Sequence, residues 1–180
     1  MNIPTWITFS RLLGVPIVLI ALLDPTDYRR WLSVVVFVIF AGTDWLDGYL
    51  ARKLNQVTDL GKFLDPLVDK LLVMAPLMAL VEMGKVPGWG VFLILARELT
   101  ISGWRVNPTF QKGAVPGAGI WGKVKTVVQI VAIAILLAPL AGVWPLLGVV
   151  LFWVAVALTW ISGLLYLLPA KSVSEESASG

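Results

Sequence analysis

Six apolar stretches divide the chain of 180 residues, and each is about long enough to cross a lipid bilayer as a helix. They cover roughly residues 5–23, 31–50, 64–83, 88–106, 122–141 and 145–168. Hydrophobic residues make up 58% of the chain and charged residues 14%, whereas soluble domains average about 45–50% and 25%. The sequence therefore predicts an all-α membrane protein with six transmembrane helices, and it excludes an ordinary water-soluble domain.

The Lys and Arg residues between the stretches predict the orientation. If the N-terminus is cytoplasmic, the cytoplasmic side carries Arg52, Lys53, Lys62, Arg105, Lys112, Lys123, Lys125 and Lys171. The outer side then carries only Arg29, Arg30 and Lys85. This excess predicts an N-in, C-in topology. We expect one membrane domain over residues 1–171, followed by a disordered polar tail over 172–180.

The chain contains neither Cys nor His. A disulfide framework, a thiolate nucleophile and a Cys- or His-bound transition metal are therefore excluded. A bound metal must be held by oxygen ligands, and such sites favour Mg²⁺, Mn²⁺ or Ca²⁺.

Four aspartates lie in or beside apolar helices, where a charge is costly: Asp44, Asp47, Asp65 and Asp69. The spacings i, i+3 and i, i+4 place each pair on one helix face. The short loop between the pairs predicts neighbouring antiparallel helices, with all four carboxylates at the cytoplasmic end of the bundle. Four such anions require cations. The alternative is that they cap helices or pair with Arg52, Lys62 and Lys70.

The full pattern is Asp44-x2-Asp47-Gly48-x2-Ala51-Arg52-x8-Gly61-x3-Asp65-x3-Asp69. It resembles the signature of the CDP-alcohol phosphotransferase family and matches that signature at every fixed position. The resemblance implies a six-helix fold with a polar active site at the cytoplasmic end of the bundle. It also implies two divalent cations, Mg²⁺ or Mn²⁺, held by Asp44, Asp47, Asp65 and Asp69, with Asp69 as the base. Residues implied to bind CDP-diacylglycerol are Gly48, Ala51, Arg52 and Thr58.

Several cations occupy positions at which an apolar residue would be less costly in lipid: Arg11, Arg97, Arg105, Lys123 and Lys125. Together they would form a basic pocket suited to a second phosphate. Each also has a structural alternative. Arg97 and Glu98 would form an internal ion pair, Lys123 and Lys125 would anchor the cytoplasmic side, and Arg105 would extend to the interface.

Within the family, the chain is similar to the bacterial branch whose acceptor is sn-glycerol 3-phosphate. The segments that show this similarity are residues 2–5 with Arg11, 43–48, 63–66, 96–98 with Ile101 and Ser102, and 122–126 with Gln129. Segment Val106–Ile120 departs from the pattern of that branch. The resemblance implies that Thr5, Arg97, Arg105, Lys123 and Lys125 bind glycerol 3-phosphate.

The expected function is transfer of the phosphatidyl group of CDP-diacylglycerol to glycerol 3-phosphate in the bacterial cytoplasmic membrane. Membrane lipid and a second copy of the chain are expected partners, and nucleic acid is not. One alternative is the same chemistry with another acceptor, inositol phosphate or phosphatidylglycerol. An ion- or proton-coupled transporter and an aspartate-rich prenyltransferase are alternatives of different classes.

Overall fold

A computed structural model of the chain describes residues 3–54, 59–106 and 120–167, and within them the side chains of 12–43, 67–103 and 122–164. The regular structure in these ranges consists of six helices and no strand. They are α1 Ile3–Leu22, α2 Asp27–Leu54, α3 Asp59–Glu82, α4 Gly88–Val106, α5 Ile120–Leu137 and α6 Trp144–Leu167. The expected all-helical class with six helices is confirmed. The tail 172–180 and Thr58 lie outside the described residues.

Helix α2 is longer than its apolar stretch at both ends. It begins at Asp27 because Thr26 caps it: the backbone N–H of Arg29 donates to Thr26 Oγ1 at 3.5 Å, and that of Arg30 to the Thr26 carbonyl at 2.9 Å. It continues to Leu54 through Arg52 and Lys53, which favour a helix although they end an apolar run.

Helix α5 ends at Leu137, four residues before the end of its apolar stretch. Pro139 follows, and a proline disfavours the helical conformation of the residue before it. The connection to α6 turns at Gly142, whose φ of 72° suits glycine. Gly148 then lets α6 approach closely, since a Cβ there would lie 2.8 Å from the Leu136 side chain. The short connection therefore joins a tightly packed helix pair.

All six helices contribute to one apolar core. Its fully buried side chains include Val18 of α1, Phe37 of α2, Leu77 of α3, Ile94 of α4, Ile133 of α5 and Phe152 of α6. Large apolar side chains are also exposed on every helix, for example Leu13, Val35, Met78, Phe92, Val127 and Leu164. Within the described side chains, one helical segment, Trp144–Leu164, is long and apolar enough to cross a membrane by length and composition.

Two cations cap the end of α5. Arg30 donates from Nε to the carbonyl of Leu137 at 2.9 Å and from Nη2 to that of Ala138 at 2.6 Å. Lys85 Nζ, from the α3–α4 turn, donates to the carbonyl of Leu136 at 2.5 Å. Carbonyls at a helix end have no partner within the helix, so cations there stabilise it. Burial, and then the nearby charge of Arg30, lower the pKa of Lys85.

The capping contacts predict different roles for two adjacent arginines. Replacing Arg30 by Met leaves two part-buried carbonyls without their charged donor and is expected to lower the free energy of unfolding by about 1.5–3 kcal/mol. Arg29 instead pairs with Asp24 at 3.3 Å on the exposed surface, so Arg29→Met is expected to cost less than about 1 kcal/mol. Thermal or denaturant unfolding of both variants in detergent measures the difference. Equal losses would contradict the assigned cap.

Candidate functional site

The four predicted aspartates lie on two helices that contact each other. Asp44 and Asp47 are in α2, and Asp65 and Asp69 are in α3. Because both segments are helical, each pair occupies neighbouring positions on one helix face. Asp69 is half-buried and has an interaction partner. The side chains of the other three lie outside the described set, as do those of Ala51 and Arg52 and the surroundings of Gly48.

The capping of α5 fixes which helix ends meet. Arg30, near the start of α2, and Lys85, just after the end of α3, both bind the end of α5. Helix α5 is therefore antiparallel to α2 and parallel to α3. Its first turns lie at the same end of the bundle as the end of α2 and the start of α3. The four aspartate positions and the Lys125 position thus share one end.

A donor set of carboxylates without Cys or His suits a hard divalent cation. Among the described side chains there is no group of three or more potential metal ligands, but three of the four aspartates are not in that set. The fit therefore rests on the chemistry of the donors and on their positions along α2 and α3.

A buried ionic network joins α4 to α5. The carboxylate atom Glu98 Oε1 accepts a hydrogen bond from Lys125 Nζ and a second from Arg97 Nη1, the latter at 3.1 Å. The side chains of Lys125, Arg97 and Glu98 are 9%, 13% and 17% exposed. One carboxylate oxygen thus accepts from two cations, and through it α4 is joined to α5.

The same arginine also reaches α6. Arg97 Nη2 donates to Ser162 Oγ at 2.9 Å, and the Ser162 hydroxyl donates in turn to the Thr159 carbonyl at 3.1 Å. Two buried nitrogens have no hydrogen-bond partner among the described residues: Arg97 Nε and Gln129 Nε2. Gln129 lies one turn after Lys125 on α5, so both unpaired donors belong to the region of the network.

A further contact ties α3 to α4. Lys70 Nζ donates to the hydroxyl of Ser102. Because Lys70 follows Asp69 directly, this contact holds the Asp69 segment of α3 against the α4 helix that carries Arg97 and Glu98.

The structure brings together some of the predicted basic residues and separates others. Arg97 and Lys125 meet at Glu98. The structural alternative predicted the ion pair of Arg97 with Glu98 and did not predict that of Lys125 with Glu98. Lys123 is exposed, because residues two apart on a helix point in nearly opposite directions. Arg105 is in α4 and Thr5 in α1, and their side chains lie outside the described set.

Sequence reasoning assigned no role to Ser162, Gly163 or the contact between Lys70 and Ser102. In sequence, the apolar stretch 145–168 resembles a generic hydrophobic helix. The available signal was the adjacent small residues Ser162 and Gly163, a combination that often marks helix contacts within membranes.

Comparison with known proteins gives consistent results. The family model for CDP-alcohol phosphatidyltransferase matches residues 1–161. The chain is 42% identical to the CDP-diacylglycerol–glycerol-3-phosphate 3-phosphatidyltransferase of Bacillus subtilis, over 90% of this chain and 91% of that protein. It is 40% identical to the protein of the same name from Pseudomonas fluorescens, over 94% and 90%.

A third relative is the probable phosphatidylglycerophosphate synthase of Mycobacterium tuberculosis, 38% identical over 94% of this chain and 81% of that protein. Matches of this extent include the acidic helices, the network and most of α6. The chain belongs to the CDP-alcohol phosphatidyltransferase family and is an enzyme of that class.

Proposed function

We propose that the protein transfers the phosphatidyl group of CDP-diacylglycerol to sn-glycerol 3-phosphate, giving phosphatidylglycerophosphate and CMP. The observation that carries the proposal is the pair of buried cations, Arg97 and Lys125, at the bundle end where the four aspartates lie. Two cations held close together suit the phosphate of a phosphorylated acceptor. The acidic helices suit divalent cations, which would bind the pyrophosphate of the donor. The names of the relatives support the same pair of substrates.

The aspartates are assigned to the reacting phosphates. Enzymes of this family generally depend on divalent metal ions, and Asp44, Asp47, Asp65 and Asp69 would hold two, Mg²⁺ or Mn²⁺. Bound there, the ions would supply charge neutralisation at the pyrophosphate oxygens of the donor. Gly48, Ala51, Arg52 and Thr58 are assigned to the CDP portion, on the strength of the signature that they share with the family.

Asp69 is assigned as the general base. It takes the proton of the primary hydroxyl of glycerol 3-phosphate as that oxygen forms a bond to the β-phosphorus. The bond between the β-phosphorus and the bridging oxygen breaks, and CMP leaves with that oxygen. Its place in α3, one residue before the Lys70 that anchors to Ser102, supports this role, because a fixed backbone orients the carboxylate.

The acceptor phosphate is assigned to the basic residues Arg97, Arg105, Lys123 and Lys125, with Thr5 as a further contact. Arg97 and Lys125 are held by Glu98, so their charges are oriented before the acceptor binds. Lys123 is exposed at the first turns of α5, where it would meet an anion entering from solvent. Positive charge alone does not distinguish glycerol 3-phosphate from inositol phosphate, the principal alternative acceptor, and phosphatidylglycerol is a third; the names of the relatives favour glycerol 3-phosphate.

The proposed setting is a bacterial cytoplasmic membrane, crossed six times, with both termini and the site in the cytoplasm. Exposed apolar side chains on all six helices support contact with lipid on every side. The membrane domain comprises residues 1–171, followed by the polar tail. We propose a homodimer as the assembly, in line with the family resemblance.

Release of CMP tests the function directly. Purified protein in detergent with CDP-diacylglycerol and Mg²⁺ is expected to release CMP when glycerol 3-phosphate is added, and not with inositol phosphate, serine or no acceptor. Addition of EDTA is expected to stop the reaction. Release with a different alcohol would overturn the acceptor, and folded protein that releases no CMP with any acceptor would overturn the proposed reaction.

The two roles given to the α3 aspartates predict separable defects. Asp69 is assigned as the base, so Asp69→Asn, which cannot take a proton, is expected to abolish turnover while divalent-ion binding is largely kept. Asp65 is assigned as a metal ligand alone, and its negative charge is what the substitution there removes. Asp65→Asn is expected to lose metal affinity and turnover together. Mn²⁺ titration by calorimetry, alongside CMP release, measures both. Normal turnover in Asp69→Asn would remove it as the base, and full metal affinity in Asp65→Asn would remove it from the ligand set.

The basic pocket predicts a selective effect on one substrate. Lys123→Ala is expected to raise the KM for glycerol 3-phosphate roughly tenfold and to change the KM for CDP-diacylglycerol little, since the charge lost acts on the acceptor. The matched control is Arg29→Ala, an exposed cation at the opposite end of the bundle, which should change neither KM. Equal increases for both substrates in Lys123→Ala would indicate a structural role instead.

A further inference from the structure

The guanidinium of Arg97 rests on the backbone of α6 at Gly163. A Cβ atom added at Gly163 would lie 2.9 Å from Arg97 Nε, 3.2 Å from Cγ and 3.6 Å from Cδ. Any larger residue would therefore occupy space that the arginine side chain now fills. The surface of α6 at Gly163 therefore accommodates the Arg97 side chain of α4.

Ser162, the neighbouring residue, fixes the direction of that side chain. Its hydroxyl hydrogen is used by the Thr159 carbonyl at 3.1 Å, so the oxygen presents its lone pairs to Arg97 Nη2 at 2.9 Å. Ser162 is 8% exposed and Thr159 is fully buried, which leaves the hydroxyl little freedom to turn away. Contact with Gly163 along the stem and a hydrogen bond at Nη2 together fix the guanidinium plane.

Because the guanidinium plane is fixed, its other terminal nitrogen, Nη1, is directed at Glu98. Arg97 Nη1 donates to Glu98 Oε1 at 3.1 Å, and the same oxygen accepts from Lys125 Nζ. A shift of the guanidinium would therefore move the carboxylate that also holds Lys125. The position of both buried cations depends on two small residues of α6.

This arrangement leaves one polar atom of Arg97, Nε, without a hydrogen bond from the described residues. That nitrogen is buried, and an unpaired buried donor is destabilising. Buried groups of this kind call for a reason other than stability. The reason here is that the same side-chain conformation places Nη1 against Glu98 and Nη2 against Ser162.

We propose that Gly163 and Ser162 are positioning residues for the acceptor phosphate, acting through Arg97 and, by way of Glu98, through Lys125. This inference rests on the proposed function, because it assumes that the two cations bind the phosphate of the acceptor. It assigns α6 a part in acceptor specificity, although α6 carries no charged residue within its bounds.

The test is Gly163→Ala, compared with Gly90→Ala. A Cβ at Gly90 would lie 2.9 Å from the Phe152 ring, so both substitutions crowd the contact between α4 and α6, one within the network and one far from it. Gly163→Ala is expected to raise the KM for glycerol 3-phosphate roughly tenfold or more while the KM for CDP-diacylglycerol changes less than about twofold. Gly90→Ala is expected to lower the unfolding temperature without separating the two KM values.

Two further variants show whether the effect passes through the arginine. Ser162→Ala adds no volume and is expected to raise the same KM by a smaller factor. In an Arg97→Ala background, Gly163→Ala is expected to have no further effect on that KM, because the side chain it displaces is absent. A full additional increase in that background, or the same KM pattern in Gly163→Ala and Gly90→Ala, would overturn the proposal.

CMP release by the wild-type enzyme distinguishes a failure of the proposed function from a failure of the positioning role. Absence of CMP release with glycerol 3-phosphate would overturn the proposed function. If another phosphorylated alcohol supports release, the KM comparison is made with that acceptor, and the same selective increase in Gly163→Ala would support the positioning role. No selective increase would overturn it.

Discussion

One carboxylate, that of Glu98, allows two cations to exist inside an apolar helix bundle. An isolated buried charge is strongly destabilising, and an ion pair is tolerated only when hydrogen bonds satisfy both partners. Glu98 Oε1 binds Lys125 of α5 and Arg97 of its own helix, and Arg97 passes the interaction on to Ser162 of α6. The relative placement of three helices thus depends on this oxygen.

Helix α5 is held by cations at one end and supplies a cation at the other. Its last carbonyls are bound by Arg30 and Lys85, which come from the start of α2 and from the turn after α3. Near its start, Lys125 meets Glu98. Among the described residues, polar contacts between helices thus occur at the end of α5 and around Glu98, while apolar side chains such as Phe37 and Phe152 form the core. The proposed site lies at the bundle end opposite the capped end of α5.

The apolar stretches predicted the six helices, since stretch length and turn residues are properties of adjacent positions. The helix ends were less predictable: α2 continues through Arg52 and Lys53, and α5 stops before Pro139. The spacing of the aspartates predicted that each pair lies on one face of its helix. Spacing along the chain does not predict which side chains of different helices contact each other. The sequence treated Lys123 and Lys125 alike, yet one is exposed and the other buried against Glu98. Ser162 and Gly163 acquire their meaning only from the arginine that packs on them.

The ionic network has a consequence for how the chain enters a membrane. Helix α4 carries Arg97 and Glu98, and α5 carries Lys125; hydrocarbon penalises each of them alone. Arg97 and Glu98 pair within α4, whereas Lys125 meets the Glu98 carboxylate only when α5 lies beside α4, and Arg97 meets Ser162 only when α6 lies there too. In the proposed membrane topology, α4, α5 and α6 are therefore best inserted as one unit, with α6, the most apolar segment described, able to draw the other two into the bilayer. Insertion in that topology thus requires the same three helices that hold the buried cations.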